Sequence, residues 1–142
     1  MEENLHATAV AIDGRGLLIL GRAGAGKSSL AMRLMALGAG LVADDRVLVR
    51  RQDECLTAWA PAPLAGLIEA RGIGLLRAPY QPEVDLTAVV DLDQPETDRL
   101  PPLRHYPILG VTLPLVLGQQ SDHFPFGLML YMRYGRGDQG QR

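Results

Sequence analysis

Lysine is almost absent from this sequence of 142 residues. Of its 14 basic residues, 13 are arginine and one is Lys27. The 16 acidic residues leave a formal net charge of −2. That balance gives no electrostatic reason to expect a nucleic acid or an anionic membrane surface as a partner.

Cysteine and long apolar stretches are scarce as well. Cys55 is the single cysteine, so no disulfide can form within the chain, which is typical of a reducing compartment. The longest apolar stretch, residues 108–117, is interrupted by Gly110, Thr112 and Pro114, whereas a membrane span needs about 20 apolar residues. The first residues are acidic and polar, unlike a secretory signal. The sequence therefore predicts a cytoplasmic protein with no membrane segment.

Hydrophobic residues make up 47% of the chain, which is enough for the core of one domain. Apolar alternation and apolar runs predict strands at 5–12, 17–20, 41–43 and 85–92, and a strand pair or bent strand at 108–117. Helical periodicity follows Lys27 up to residue 37 and recurs over 121–134. Residues 93–107 contain four prolines and are expected to form a long loop. These patterns predict an α/β domain over residues 1–134, followed by a disordered tail over residues 135–142.

A glycine-rich segment between a predicted strand and a predicted helix matches G-x-x-x-x-G-K-[ST]. Its glycines allow successive backbone N–H groups to surround phosphate oxygens, and the helix adds its positive N-terminal end. Lys27 would reach the β- and γ-phosphates of ATP, and Ser28 would bind Mg²⁺. The fold class that follows is a P-loop nucleotide-binding domain with a mixed β-sheet and few flanking helices. Its predicted nucleotide-binding residues are Gly21, Arg22, Ala23, Gly24, Ala25, Gly26, Lys27 and Ser28.

Two aspartates are predicted to return to the level of this loop. The helix carries the chain about 15 Å away from the loop, and the next strand brings it back about 20 Å. Asp44 and Asp45 then follow the carboxyl end of a strand, where ligands bind in open α/β sheets. One would hold Mg²⁺ with Ser28 and the other would accept a proton from an attacking hydroxyl. An ordinary acidic turn is the alternative.

His6 and Glu69 are two further candidates. A hairpin of the first two strands puts His6 opposite residues 21–23, either at the mouth of the loop or as an exposed side chain. Glu69 and Arg71 lie two residues apart, so an extended chain would place them on one face. That pair would bind metal and phosphate, or would form an ion pair at a strand edge.

Together these residues resemble the catalytic domain of the HPr kinase/phosphorylase family, which acts on a seryl residue of the phosphocarrier protein HPr. Four segments carry the likeness in order: His6, the phosphate loop, residues 41–45 and residues 68–74. Longer members of the family have an additional N-terminal domain, so this sequence resembles the short form.

The resemblance implies a role for each matching residue. Lys27 would bind phosphate, Ser28 and Glu69 would bind Mg²⁺, and Asp45 would accept the proton of the serine. His6 would belong to the catalytic site beside the acidic pair.

With Asp45 as the proton acceptor, Asp44 is expected to bind Mg²⁺. The segment Asp98-Arg99-Leu100 also matches a family block, and we expect Arg99 to neutralise charge during catalysis.

Two positions depart from the family pattern. An acidic residue usually follows the serine of the phosphate loop, where this chain has Ser29. The Pro-Gly-Arg-Asn block that follows the last strand is replaced here by Gly-Gln-Gln-Ser at residues 118–121, and the family links that block to dephosphorylation. The resemblance therefore implies a kinase for HPr, and the missing block argues against the reverse, phosphorylase activity.

The resembled family forms hexamers, so we expect a homo-oligomer. Two alternatives to an HPr kinase stay open at this stage. One is a P-loop kinase for a small metabolite, and the other is a non-catalytic module that senses ATP and relays its state to a regulatory partner.

Overall fold

The structure is a computed structural model that describes residues 1–138. Strands dominate this part of the chain, and two α-helices accompany them. The strands are β1 (Glu2–Leu5), β2 (Thr8–Ile12), β3 (Arg15–Leu20), β4 (Gly40–Ala43), β5 (Val47–Gln52), β6 (Cys55–Trp59), β7 (Leu67–Ala70), β8 (Gly74–Arg77), β9 (Val84–Pro95), β10 (His105–Ile108) and β11 (Val111–Gly118), and the helices are α1 (Lys27–Ala36) and α2 (Phe124–Tyr134), with a 3₁₀ turn at Ala62–Leu64.

Nine of these strands form one mixed sheet in which β9 is central and pairs with β3, β6 and β11. The path through the sheet is β1-β5-β6-β9-β3-β2-β4, and β11 extends it by pairing with β9 and with β10. β3 runs parallel to β9, β9 runs parallel to β11, and β2 lies antiparallel between β3 and β4. The strands β7 and β8 form a separate hairpin. The predicted α/β class with a mixed sheet and few helices is confirmed.

Both faces of the central strands are buried. Alternate residues of β2 and β3 join two different apolar clusters: Val10 and Ile19 pack with α1 and α2, whereas Ala9 and Leu18 pack with β5, β6, β10 and β11. A strand covered on both faces needs a continuous apolar run rather than strict alternation. The unbroken apolar stretch of β3 follows from this position.

Three element boundaries differ from the predictions. The predicted strand at 5–12 is two strands, because β1 pairs with β5 and β2 pairs with β3. The predicted loop at 93–107 is shorter, because β9 continues through Pro95 beside β11 and β10 begins at His105. The final helix begins at Phe124 instead of residue 121, and Pro125 occupies its first turn, where a proline loses no helical hydrogen bond.

The boundary between domain and tail stays a prediction. Residues 135–138 are described, and Arg136 donates hydrogen bonds to the Pro101 carbonyl at 2.6 Å and to Asp138 at 2.8 Å. The rest of the predicted tail, residues 139–142, lies outside the described residues. Within residues 1–138, no helix combines the length and the apolar character of a membrane span.

Candidate active site

The loop between β3 and α1 has the backbone geometry of a phosphate site. Gly24 and Gly26 adopt left-handed conformations, with φ of +85° and +100°, which glycine reaches without a steric cost. A Cβ atom on Gly21 would lie 2.9 Å from the Cβ of Ala25, so the tight closure of the loop also requires glycine there. The glycines of the motif are explained by these two constraints.

Lys27 lies across the base of this loop. Its side chain extends back from the start of α1, and its ammonium donates hydrogen bonds to the carbonyl oxygens of Gly21 at 2.6 Å and Arg22 at 3.2 Å. The residue is only 8% exposed, and these bonds compensate for the burial of its charge. These bonds hold the ammonium against the phosphate loop, and the motif predicts that it contacts the phosphates of a nucleotide.

Asp44 is the most extensively bonded side chain of the site. It follows β4, is 5% exposed, and accepts the Ser28 hydroxyl at 2.7 Å on one oxygen and 2.9 Å on the other. The Thr8 hydroxyl donates to it at 2.8 Å, and the backbone N–H of Glu69 donates at 3.0 Å. Three elements therefore fix one buried carboxylate beside the serine of the phosphate loop.

The pair of Ser28 and Asp44 fits a Mg²⁺ ion that arrives with a nucleotide. Both side chains offer oxygen atoms, and Mg²⁺ is usually held by one or two carboxylates together with substrate phosphates and water. Within residues 1–138, no group of three His, Cys, Asp or Glu side chains is arranged to hold a metal by itself. An all-protein metal cage is therefore not the arrangement found here.

Asp45 faces solvent, in contrast to its neighbour. Its backbone is left-handed, with φ of +72°, and its side chain is 65% exposed. The imidazole Nε2 of His6 lies 3.1 Å from its carboxylate. The sequence predicts His6 opposite residues 21–23, and the resemblance predicts it beside the acidic pair; the contact that forms is with Asp45 of that pair. The two aspartates thus differ sharply in environment, which is how two carboxylates acquire different chemical roles.

Of the remaining predicted residues, Glu69 contacts Asp44 through its backbone, whereas Arg71 and Arg99 have no hydrogen bond to Asp44 or the phosphate loop among the described residues. Glu69 is in β7, and its backbone bonds Asp44 while its side chain is exposed. Arg71 follows the end of β7 at Ala70, so the shared strand face predicted for Glu69 and Arg71 does not form.

Arg99 lines a small cavity of about 150 Å³ with Arg104 and other residues. No hydrogen bond among the described residues joins Arg99 to the phosphate loop, and its catalytic role stays a prediction.

The segment that carries Arg99 is closed at its base by an ion pair. The Glu96 carboxylate accepts hydrogen bonds from Nε and Nη2 of Arg104, both at 3.0 Å, and from the backbone N–H groups of Thr97 and Asp98. The bonds from Arg104, and then that from Asp98, hold the pKa of Glu96 below its usual range. The ion pair therefore joins the two ends of residues 96–104, the segment that connects β9 to β10.

Two residues that the sequence reasoning missed support the site. Thr8 bonds Asp44, and its signal was a polar residue inside an otherwise apolar strand. Asp93 accepts the backbone N–H of Arg22 on both carboxylate oxygens, at 3.0 and 3.1 Å, and its own N–H bonds Asp91 at 2.9 Å. No local pattern marks Asp93, because it meets the phosphate loop only through the parallel pairing of β3 and β9.

Comparison with known proteins identifies the family. The family model of the HPr serine kinase C-terminal domain matches residues 1–81. The chain belongs to this family. The matched residues include every predicted site residue except Arg99.

Individual relatives carry the same name. The HPr kinase/phosphorylase of Levilactobacillus brevis is 37% identical over 116 residues, which cover 76% of this chain and 36% of that protein. The HPr kinase/phosphorylase of Lactiplantibacillus plantarum is 48% identical over 75 residues, which cover 52% of this chain and 24% of that protein. The chain thus spans about a third or less of the length of these relatives.

A solved structure has the same fold. The Hpr(Ser) kinase/phosphatase from Coxiella burnetii superposes with a TM-score of 0.78 and covers 92% of this chain and 94% of its own. The two sequences are 24% identical, so this likeness concerns the fold. The predicted family resemblance and P-loop fold class are confirmed.

Proposed function

We propose that this chain transfers the γ-phosphoryl group of ATP to a serine hydroxyl of the phosphocarrier protein HPr, with Mg²⁺ as cofactor. The observation that carries the proposal is the arrangement at one sheet edge of the phosphate loop, the buried Ser28–Asp44 pair and the solvent-facing His6–Asp45 pair. A buried pair that suits a metal and an exposed carboxylate that suits an incoming hydroxyl are the two parts that such a transfer needs.

In the proposed step the serine oxygen attacks the γ-phosphorus of ATP. The new O–P bond forms as the bond from the γ-phosphorus to the β,γ-bridging oxygen breaks, and ADP leaves with that oxygen. The proton of the serine passes to the Asp45 carboxylate. His6, 3.1 Å from that carboxylate, orients it, while the loop N–H groups and Lys27 stabilise the charge on the phosphates.

The metal would be held by Ser28 and Asp44, with Glu69 as a further ligand, and would neutralise charge on the phosphate oxygens. Arg99 would add positive charge from the segment 96–104. These roles rest on the resemblance, and for Ser28 and Asp44 also on their hydrogen bonds.

Asp45→Asn tests the proposal. We expect nucleotide affinity to stay within about twofold and phosphoryl transfer to fall about 10³-fold, because the amide cannot accept the proton. Asparagine also tolerates a left-handed backbone, so the fold is preserved. Transfer is measured as a one-phosphate mass increase on a serine of HPr, and binding by titration with Mg-ATP.

Asp53→Asn is the matched control, because Asp53 also has a left-handed backbone, with φ of +57°, and lies in the turn between β5 and β6. It should leave both quantities unchanged. Equal loss of binding and transfer in Asp45→Asn would refute the role of Asp45 as proton acceptor.

A second candidate function follows from the replaced block at residues 118–121. A module that senses ATP without catalysis would bind Mg-ATP tightly and produce no phosphoserine on HPr. For the same reason we expect no release of phosphate from seryl-phosphorylated HPr, even where the kinase reaction is observed.

The family resemblance extends the proposal to a homo-oligomeric, cytoplasmic protein. Sedimentation velocity tests the assembly: the expected particle is a multiple of the 15.4 kDa chain, and a hexamer is the form that the resemblance implies. A species with the mass of one chain at micromolar concentration would contradict this expectation.

A further inference from the structure

A cavity of about 980 Å³ lies next to the phosphate loop and is not used by the proposed transfer step. One wall consists of Gly26 and successive turns of α1, including Ser29 and Arg33. The opposite wall consists of the ends of β9 and β11 and the start of α2, including Gln119 and Phe126. Its volume is that of a site for a small organic ligand, which is typically about 300–1,000 Å³.

The order of strands separates this cavity from the transfer groups. β2 and β4 lie on one side of β3, and Asp44 and Asp45 follow β4 on that side. β9 and β11 lie on the other side of β3, and the cavity is built from their carboxyl ends. The phosphate loop therefore has the proposed proton acceptor on one side and the cavity on the other.

We propose that this cavity takes the nucleoside part of a nucleoside triphosphate, so that the triphosphate crosses the loop and its terminal phosphoryl group reaches Asp45. This inference rests on the proposed function, which supplies the nucleotide donor. A ligand anchored by its phosphates on the loop has these two directions along the sheet edge, and the acceptor must occupy the side of Asp45.

The lining chemistry suits a base and a ribose. Phe126 is 57% exposed and presents an aromatic ring, on which any base can stack. The Gln119 amide offers both a donor and an acceptor for the edge of a base. Arg33, in the last turn of α1, adds a positive charge to that wall of the cavity.

The test compares Mg-ATP with inorganic tripolyphosphate, which has the phosphates and lacks the nucleoside. Phe126→Ala should weaken Mg-ATP about tenfold, as expected for loss of one stacking contact, and should leave tripolyphosphate affinity unchanged. Ala36→Trp should give the same pattern, because Ala36 is an exposed residue of α1 that lines the cavity and an indole would fill it. Both affinities are measured by isothermal titration calorimetry.

Leu130→Ala is the matched control. Leu130 is also an exposed apolar residue of α2, at 60%, one helical turn beyond Phe126, and it is outside the cavity lining. It should change neither affinity. Tripolyphosphate binding also reports that each variant retains a folded phosphate loop.

Two results would overturn the assignment in different ways. If the unaltered chain binds both ligands and the two cavity variants weaken them equally, or weaken neither, the nucleoside does not occupy this cavity and the proposed function is untouched. If the unaltered chain binds neither Mg-ATP nor tripolyphosphate, the phosphate site itself is refuted, and the cavity assignment is refuted with it.

Discussion

At the scale of single residues, two adjacent aspartates acquire opposite environments within one peptide unit. Asp44 is directed inward and receives hydrogen bonds from Thr8, Ser28 and the Glu69 backbone. Asp45 takes a left-handed backbone conformation, which turns its carboxylate to solvent and to His6. A buried, fully bonded carboxylate suits a fixed ligand, and an exposed one suits the acceptance of a proton from a substrate.

Thr8→Val tests how much the buried hydroxyl contributes to the site. Valine has the shape of threonine and lacks the donor, so Asp44 loses one of its hydrogen bonds while it stays buried. Hydrogen bonds to charged groups contribute about 1.5–3 kcal/mol, and we expect the free energy of unfolding to fall by about 2 kcal/mol, as measured by urea denaturation.

Thr8→Ser is the comparison variant, because it keeps the hydroxyl and loses one buried methyl group. Transfer by Thr8→Ser should keep its dependence on Mg²⁺ concentration, whereas Thr8→Val should require more Mg²⁺. A valine variant as stable as the unaltered chain would show that the hydroxyl is not needed to compensate the buried carboxylate.

The residues of the site that the sequence could predict are those that share a local motif. The spacing of residues 21–28 matches the phosphate-loop motif. The single lysine of the chain stands at the motif position where an ammonium, rather than a guanidinium, fits between phosphates. Spacing alone could not say which aspartate is buried, because that depends on the backbone conformation of Asp45. Thr8 and Asp93 reach the site through strand pairing, which no local pattern encodes.

At the scale of secondary-structure elements, the end of β9 braces the phosphate loop. Leu20 of β3 pairs with Asp91 of β9, so the two strands reach the sheet edge together. Asp91 holds the N–H of Asp93 and the side-chain amide of Gln94, and Asp93 in turn holds the N–H of Arg22. The first turn of the loop is therefore fixed by its neighbouring strand.

Asp93→Ala should loosen that turn. The N–H of Arg22 loses its acceptor, the loop becomes less well ordered, and we expect the KM for ATP to rise about tenfold, which corresponds to about 1.4 kcal/mol. The measurement is the kinase rate as a function of ATP concentration. Asp93→Asn keeps one acceptor oxygen and should change KM much less.

A lower KM for ATP in Asp93→Ala would also be informative about the contact between Asp93 and the Arg22 N–H. Asp93 is a negative charge beside a site for phosphates, so its main effect could be electrostatic repulsion of the nucleotide. A lower KM in Asp93→Ala would contradict the bracing role and would favour repulsion.

The segment 96–104 depends on the Glu96–Arg104 pair, and this dependence varies with pH. The pKa of Glu96 is lowered in the folded chain, so the pair stabilises the fold above the pKa of an unfolded glutamate, about 4.3. The contribution is lost as pH falls through the lower, folded pKa.

Glu96→Gln should therefore be less stable than the unaltered chain at neutral pH, and the difference should disappear in acid. Urea unfolding of both proteins from about pH 7 to about pH 2 measures it, and subtracting the two curves cancels the other carboxylates. A difference that stays constant across this range would mean that the charge of Glu96 is not what anchors the segment.

Element boundaries were predicted well where the chain pairs with its near neighbours in sequence. The hairpin of β2 and β3 has the predicted register, with Thr8 opposite Ile19, and α1, predicted up to residue 37, ends at Ala36. The extent of β9 and the start of β10 at His105 were missed, because Pro95 and Pro107 suggested a loop. Pairing with β11 at the sheet edge accommodates both prolines.

At the scale of the whole molecule, the sheet order connects the two sides of the phosphate loop. β3 is flanked by β2 on one side and β9 on the other, and neither β9 nor β11 is close to β3 in sequence. The sequence predicted the classes of these elements, but their order depends on pairings across about 70 residues or more. The cavity between α1, β11 and α2 was invisible to sequence reasoning for that reason.

This arrangement predicts that the stability of the whole molecule depends on nucleotide. A ligand that binds only the folded chain stabilises it by RT ln(1 + [L]/Kd), about 2.7 kcal/mol at 100 times Kd. Mg-ATP should therefore raise the midpoint of thermal unfolding in a concentration-dependent way, and ATP with EDTA should raise it less because Ser28 and Asp44 then lack the metal.

Lys27→Ala separates this linkage from a general salt effect, since it removes the ammonium that reaches the phosphates and leaves the rest of the sheet in place. For this variant, the midpoint of thermal unfolding without ligand is compared with the midpoint of the same variant in Mg-ATP. The shift between the two should be close to zero at Mg-ATP concentrations that stabilise the unaltered chain. Differential scanning calorimetry provides both values. An equal shift in the two proteins would place the bound nucleotide somewhere other than the phosphate loop, and the transfer geometry built on that loop would be wrong.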